Sequence, residues 1–133
     1  MRILLDSNVW LAILTTDGHC RRMWRHARHP STLCASPAIL AEIEEKLRLK
    51  FGFHPRHARL LTAFVRRQTV SVETPHPSPQ ICRDPDDDLI LAAAAQAACA
   101  YLVTGDKDLL VLKRFEGVAL VTPGEFARLI SPV

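Results

Sequence analysis

Short, fully apolar runs recur along this chain, and each is followed by a longer segment with helical periodicity. That alternation leaves few architectures open, because strands joined through helices pair in parallel and must be covered on both faces. Arg2–Asp6 predicts a buried strand, Asn8–Leu14 and Cys20–His29 two helices, and Thr32–Ser36 a second strand. Ser36-Pro37 supplies a capping residue with proline at the first helical position, opening a helix that reaches about Lys50 and stops at Phe51-Gly52. Pro55–Gln68 predicts a helix and Val70–Glu73 a short strand, and Pro75, Pro77 and Pro79 then force an extended loop. Asp84-Pro85 opens a helix through the alanine run to about Ala100. Tyr101–Gly105 and Val118–Thr122 complete the strands, with helices expected at Leu109–Phe115 and Gly124–Ile130. The expected fold is a three-layer α/β/α sandwich whose central, mostly parallel twisted sheet has about five short strands.

With 133 residues, 48% of them hydrophobic and 23% charged, the chain can bury one sizeable core, so a single domain over residues 1–133 is expected and general disorder is excluded. Asp6 interrupts any apolar signal-peptide core. The longest uncharged run, the 17 residues from Leu89 to Gly105, is rich in alanine and too weak for a membrane span. Cys20, Cys34, Cys82 and Cys99 lack metal-ligand spacing and read as reduced thiols, which points to a cytoplasmic chain without a membrane partner. Net charge is only +3, but it is unevenly spread. Residues 1–70 carry 12 basic and 5 acidic side chains, whereas residues 71–133 carry 5 and 9. A basic half beside an acidic half can hold a polyanion next to a cation site.

Function in such sheets lies beyond the carboxyl ends of the strands. Asp6 ends the first predicted strand and Asp106 follows Tyr101–Gly105, so the two carboxylates converge if both strands are central. Two more acidic sources are Asp84, Asp86, Asp87 and Asp88 in DPDDD, and Glu42, Glu44 and Glu45 on the helix after Pro37. Each has a plain structural reading as a helix cap, a dipole complement or a solvated face. Helical phase sets Glu45 opposite the Ile39, Leu40, Ile43 and Leu47 stripe but does not separate Glu42 from Glu44. Gathered in one place, four carboxylates need a cation to stay ionised, and oxygen donors suit magnesium or manganese. The chemistry so implied is metal-dependent hydrolysis of a phosphodiester.

RILLDSNVW, SPAILAEIEEKL, CRDPDDDLILAAA, YLVTGDKDLL and VALVTPGEF, in that order and spacing, resemble the PIN-domain ribonucleases, in the branch of VapC-like toxins of toxin–antitoxin pairs. The resemblance spans nearly the whole chain. It implies a PIN-like sandwich and a catalytic quartet of Asp6, Glu42, Asp87 and Asp106. Glu42 is selected by the SPxxLAE pattern. Asp87 is selected by its distance from the Leu-Ile-Leu-Ala stretch, although Asp88 also fits the branch's motif. It further implies metal binding by Asp6, Asp87, Asp88, Asp106 and Asp108, support from Asn8 and Thr104, and Mg²⁺ or Mn²⁺ as cofactor. The implied partners are an RNA substrate, a cognate antitoxin and a second copy in a homodimer.

Arg21, Arg25 and Arg28 share one helical face and are candidates for RNA phosphate contact, against the plain reading of a solvated face opposite Met23, Trp24 and Ala27. Two rivals share the acidic pattern. A phosphatase of haloacid dehalogenase type needs a second Asp two residues after the nucleophile, and Asn8 stands there. In a non-catalytic α/β interaction module the same acids would only cap helices.

Overall fold

The computed structural model describes residues 1–75 and 80–131. Pro77 and Pro79 of the expected extended loop lie outside the described residues. The elements in chain order are β1 (Arg2–Leu5), α1 (Ser7–Thr15), α2 (His19–Ala27), β2 (Thr32–Ala35), α3 (Pro37–Leu49), α4 (Pro55–Gln68) and β3 (Val70–Ser71). They continue with α5 (Pro85–Gln96), β4 (Tyr101–Val103), α6 (Lys107–Leu110), β5 (Arg114–Phe115), β6 (Val118–Val121) and α7 (Pro123–Ile130).

The strands form one sheet in the order β3-β2-β1-β4-β6-β5. Ile3 pairs with Leu33 on one side and Tyr101 on the other, and Leu102 pairs with Leu120, all in parallel. The chain builds leftward from β1 to β3, then crosses back to β4 and builds rightward. The order therefore reverses between β1 and β4, where a crevice opens at the carboxyl ends of the strands. Right-handed crossovers running in opposite directions send α1–α4 and α5–α6 to opposite faces, which makes three layers. On one face α1 packs against α2 and α3, α3 against α4, and α2 against α7. Ile3, Leu4, Leu5, Leu102, Trp10, Ile43, Leu47, Leu91 and Phe126 are fully buried between the layers.

Local chemistry explains the element ends. Ser36 Oγ accepts from Ile39 N at 3.3 Å with Pro37 behind it, and α3 then buries Ile39, Ile43 and Leu47 along one stripe. Asp84 caps α5 through Asp86 N at 2.9 Å. Thr122 and Glu125 form a reciprocal capping box at α7. In two places the structure differs from the sequence reading. The helix expected to reach Ala100 stops at Gln96, because Ala98 adopts a left-handed conformation (φ 53°) and turns the chain into β4. The helix expected over Leu109–Phe115 is the single turn α6. Lys113 then enters the left-handed region, and Arg114–Phe115 pairs antiparallel with β6 across a Glu116-Gly117 turn at φ 47° and 85°. This hairpin adds a sixth strand. Among the described residues no helix is long and apolar enough to cross a membrane, and all four cysteines are free thiols.

Candidate active site

The reversal between β1 and β4 brings together acids far apart in sequence. Asp6 is the residue after β1, and its backbone N donates to Val103 O at 3.0 Å, which locks it beside the end of β4. Its side chain is 4% exposed. Ser7 N donates to Oδ1 at 2.7 Å and the Thr104 hydroxyl to Oδ2 at 2.8 Å. Thr104, itself fully buried, accepts from Asp106 N at 3.0 Å, so one hydroxyl aligns both strand-end acids. Asp106 caps α6 by accepting from Asp108 N at 2.9 Å. The first turn of α5 contributes Asp87 to the same group.

One oxygen each from Asp87, Asp106 and Asp108 lies within 4.8 Å of the others. Electrostatics ties Asp6 to the same group. Burial raises its carboxyl above the ordinary range, the bonds from Thr104 and Ser7 offset part of that, and Glu42 and Asp106 push it further up. Asp87 is held at about 7, first by burial and then by the charges of Asp106, Asp84 and Asp6. Carboxylates so crowded repel, and a hard cation is what an all-oxygen donor set of this kind accommodates. The residues present therefore fit a divalent metal, with Asp87, Asp106 and Asp108 as the donors already gathered.

The other acids are placed differently. Glu42, on α3, is close enough to raise Asp6 but pairs with Lys46 Nζ at 2.9 Å. Lys46 also donates to Asn8 Oδ1 at 3.2 Å, so Asn8 braces Lys46 and touches neither strand-end acid through a hydrogen bond. Asp88 is buried outside the cluster, and its Oδ1 accepts from Ile81 N at 3.1 Å and Cys82 N at 2.9 Å. Those bonds hold its carboxyl below the usual range, while burial and Asp88 push the Cys82 thiol up to about 12.

Sequence reasoning missed Arg83, whose guanidinium donates to Asp108 Oδ1 at 2.6 Å. The signal was its position next to Asp84, but nothing in helical spacing reveals where it reaches. Arg21, by contrast, donates from Nε to Ile13 O at 2.9 Å, near the end of α1 remote from Asp6. Arg28 lies 4.9 Å over the Trp24 ring, and Arg25 is exposed. The structure does not join these three to the acidic cluster by any hydrogen bond or ion pair among the described residues. Trp10 and Trp24 are both buried in the core.

Fold and site together define an α/β protein with an acidic crevice at the reversal of a parallel sheet. The family model described as PIN domain matches residues 2–108, and the chain belongs to the PIN domain family. The uncharacterized protein MJ1680 of Methanocaldococcus jannaschii is 39% identical over 121 residues, spanning 85% of this chain and 76% of that protein. Among solved structures, VapBC2 from Rickettsia felis bound to a DNA fragment from its promoter matches with TM-score 0.69 and 14% identity, covering 92% of this chain and 98% of that one. The PIN domain endonuclease Utp24 matches with TM-score 0.55 and 18% identity, covering 91% and 84%. At these identities the two structures establish the fold.

Proposed function

We propose that this chain is a metal-dependent endoribonuclease, the toxin of a toxin–antitoxin pair, acting on RNA with Mg²⁺ or Mn²⁺. Membership of the PIN domain family supports a nuclease, and the observation that carries the reading is the oxygen cluster of Asp87, Asp106 and Asp108 beside Asp6. A divalent cation held there would act as a Lewis acid toward a phosphodiester and favour ionisation of a nearby water. The chain's own residues supply the rest. Asp6, fixed by Thr104 and Ser7, presents a carboxylate with no rotational freedom to lose. Asp87, held near 7 in the metal-free chain by burial and the neighbouring acids, would give up its proton on taking the cation. Glu42, once released from Lys46, would complete the shell of the cation or orient the attacking water.

The partners follow from likeness and from a groove. The structural neighbour VapBC2 carries the name of the VapC-like toxin branch that this sequence resembles, which supports a cognate antitoxin for this chain. A groove of about 380 Å³ between α3 and α5, lined by Ala38, Ala41, Glu42, Lys46, Asp86 and Leu89, leads away from Glu42 and suits either RNA or an antitoxin segment. A homodimer in the cytoplasm completes the proposal. The phosphatase alternative is disfavoured by Asn8, which cannot serve as acid or base and is engaged by Lys46.

The test is cleavage of single-stranded RNA by the purified chain, with Mg²⁺ or with EDTA. Cleavage should require the metal and should fall at least a hundredfold in Asp6→Asn, which keeps size and loses charge (order of magnitude for removal of one electrostatic group). A variant cutting at the wild-type rate would overturn the assignment.

A further inference from the structure

The proposed site is strongly acidic, with Asp87, Asp106 and Asp108 gathered beside Asp6 and Asp84. Arg83 is the base that an ion pair joins directly to the three-acid cluster among the described residues. It lies on the short segment leading into α5, its side chain is 86% exposed, and its guanidinium reaches across 25 positions of sequence to Asp108 Oδ1. Asp108 is one of the three acids whose oxygens already converge, so the guanidinium stands at the rim of that cluster.

Two features give this contact a purpose beyond stability. An ion pair this exposed contributes little to the fold and is readily exchanged for another anion. The segment that carries Arg83 is nevertheless held in place. Both backbone N–H groups just before it, Ile81 N and Cys82 N, donate to the single oxygen Oδ1 of Asp88. Asp88 is 4% exposed, and it follows Asp87 directly on the first turn of α5. The same helical turn thus presents one acid to the cluster and uses the next to brace a loop that delivers an arginine to the cluster's edge. Guanidinium is the side-chain group whose geometry best fits two phosphate oxygens.

We propose that Arg83 is a substrate-binding residue that exchanges Asp108 for a phosphate of the RNA at the acidic cluster, and that Asp88 is a positioning residue holding the 81–83 segment for that contact. This rests on the ribonuclease reading and deepens it.

The experiment compares wild type with Arg83→Gln, Arg83→Lys, Asp88→Asn and Asp88→Ala. Binding of a short fluorescein-labelled single-stranded RNA of mixed sequence is followed in EDTA by anisotropy, and KM and kcat are measured in Mn²⁺. Mn²⁺ binding is read separately from the shift in melting temperature. Arg83→Gln should weaken RNA binding roughly tenfold and raise KM in proportion. It should also reduce the slope of log affinity against log salt by about 0.7, while Mn²⁺ binding stays equal or tightens because Asp108 is released. Arg83→Lys should fall between. Asp88→Asn keeps an acceptor oxygen and should retain RNA affinity, whereas Asp88→Ala should lose it as Arg83→Gln does. If Asp88→Ala does not fold, Asp88→Ser, whose shorter side chain cannot reach both N–H groups, takes its place and should lose RNA affinity in the same way, wild-type affinity overturning the positioning role. Wild-type affinity, KM and salt slope in Arg83→Gln would overturn the proposal alone, with the nuclease reading intact. Loss of RNA affinity and Mn²⁺ binding in Asp88→Asn would overturn the positioning role. A wild-type chain that neither binds nor cuts RNA would overturn the nuclease reading and this proposal together.

Discussion

The Thr104 hydroxyl donates to Oδ2 of Asp6 at 2.8 Å, across 98 positions of sequence, and so fastens the end of β1 to the end of β4. Because the same hydroxyl accepts from Asp106 N, its loss would leave two polar groups at the floor of the crevice without their partner. Thr104→Val should cost about 1–3 kcal/mol in urea unfolding and reduce RNA cleavage at least tenfold. Thr104→Ser, which keeps the oxygen, should recover most of both. Equal stability and activity in Thr104→Val would show that the bond positions nothing.

Crowded acids should also make the metal-free chain lose stability as pH rises. Asp87 titrates near 7 in the folded chain against 3.8 for the ordinary carboxyl, so between those values the folded state binds the extra proton. Stability is then fully favoured below the unfolded value and declines as pH rises toward 7. Asp6, also raised, acts in the same direction, whereas Asp88 is lowered and so contributes stability above its ordinary value that is lost only as pH falls below it. In EDTA the melting temperature should fall from about pH 4 to pH 7, and Asp87→Asn should flatten that fall. An unchanged slope in the variant would remove Asp87 as the cause.

The hairpin between β5 and β6 offers a test of the fold away from the site. Glu116 occupies a left-handed conformation that asparagine tolerates better, followed by Gly117 at φ 85°. Glu116→Asn should raise stability by about 0.5–1 kcal/mol, and Gly117→Ala should lower it by about 1 kcal/mol. Opposite signs in chemical denaturation would mean that the turn is not formed as described.

Lys46 binds both Glu42 and Asn8, and so restrains an acid that already repels Asp6. Lys46→Met should free Glu42, add negative charge to the crevice and lower the Mn²⁺ concentration needed for thermal stabilisation severalfold. A higher required concentration would place Glu42 outside the field of the metal site.

Much of this was legible because strand ends and helix starts carry strong local signals. Asp6 and Asp106 follow apolar runs too short for helices, and parallel pairing alone brings them to one edge. The Ser36-Pro37 and Asp84-Pro85 caps located the starts of α3 and α5 to within a residue or so. What stayed hidden depends on contacts across the chain. Asp87 and Asp88 are neighbours on one helical turn, and only the path of residues 81–83 assigns Asp88 to Ile81 and Cys82 rather than to the cluster. The shared helical face of Arg21 and Arg28 left phosphate contact and a plain solvated face both open, and only the folded chain shows that one meets the Ile13 carbonyl and the other covers Trp24. The strand at Arg114–Phe115 was missed because Leu109–Leu112 continues an apolar helical pattern, and the Glu116-Gly117 turn is a weaker hairpin signal than Asn-Gly.

The most direct measurement of the central claim is anomalous scattering from crystals of the chain grown with Mn²⁺. The account predicts a manganese peak coordinated by Asp87, Asp106 and Asp108 beside Asp6, and its disappearance in Asp106→Asn. Wild-type crystals saturated with Mn²⁺ that show no peak in this crevice, or a peak only elsewhere, would contradict it.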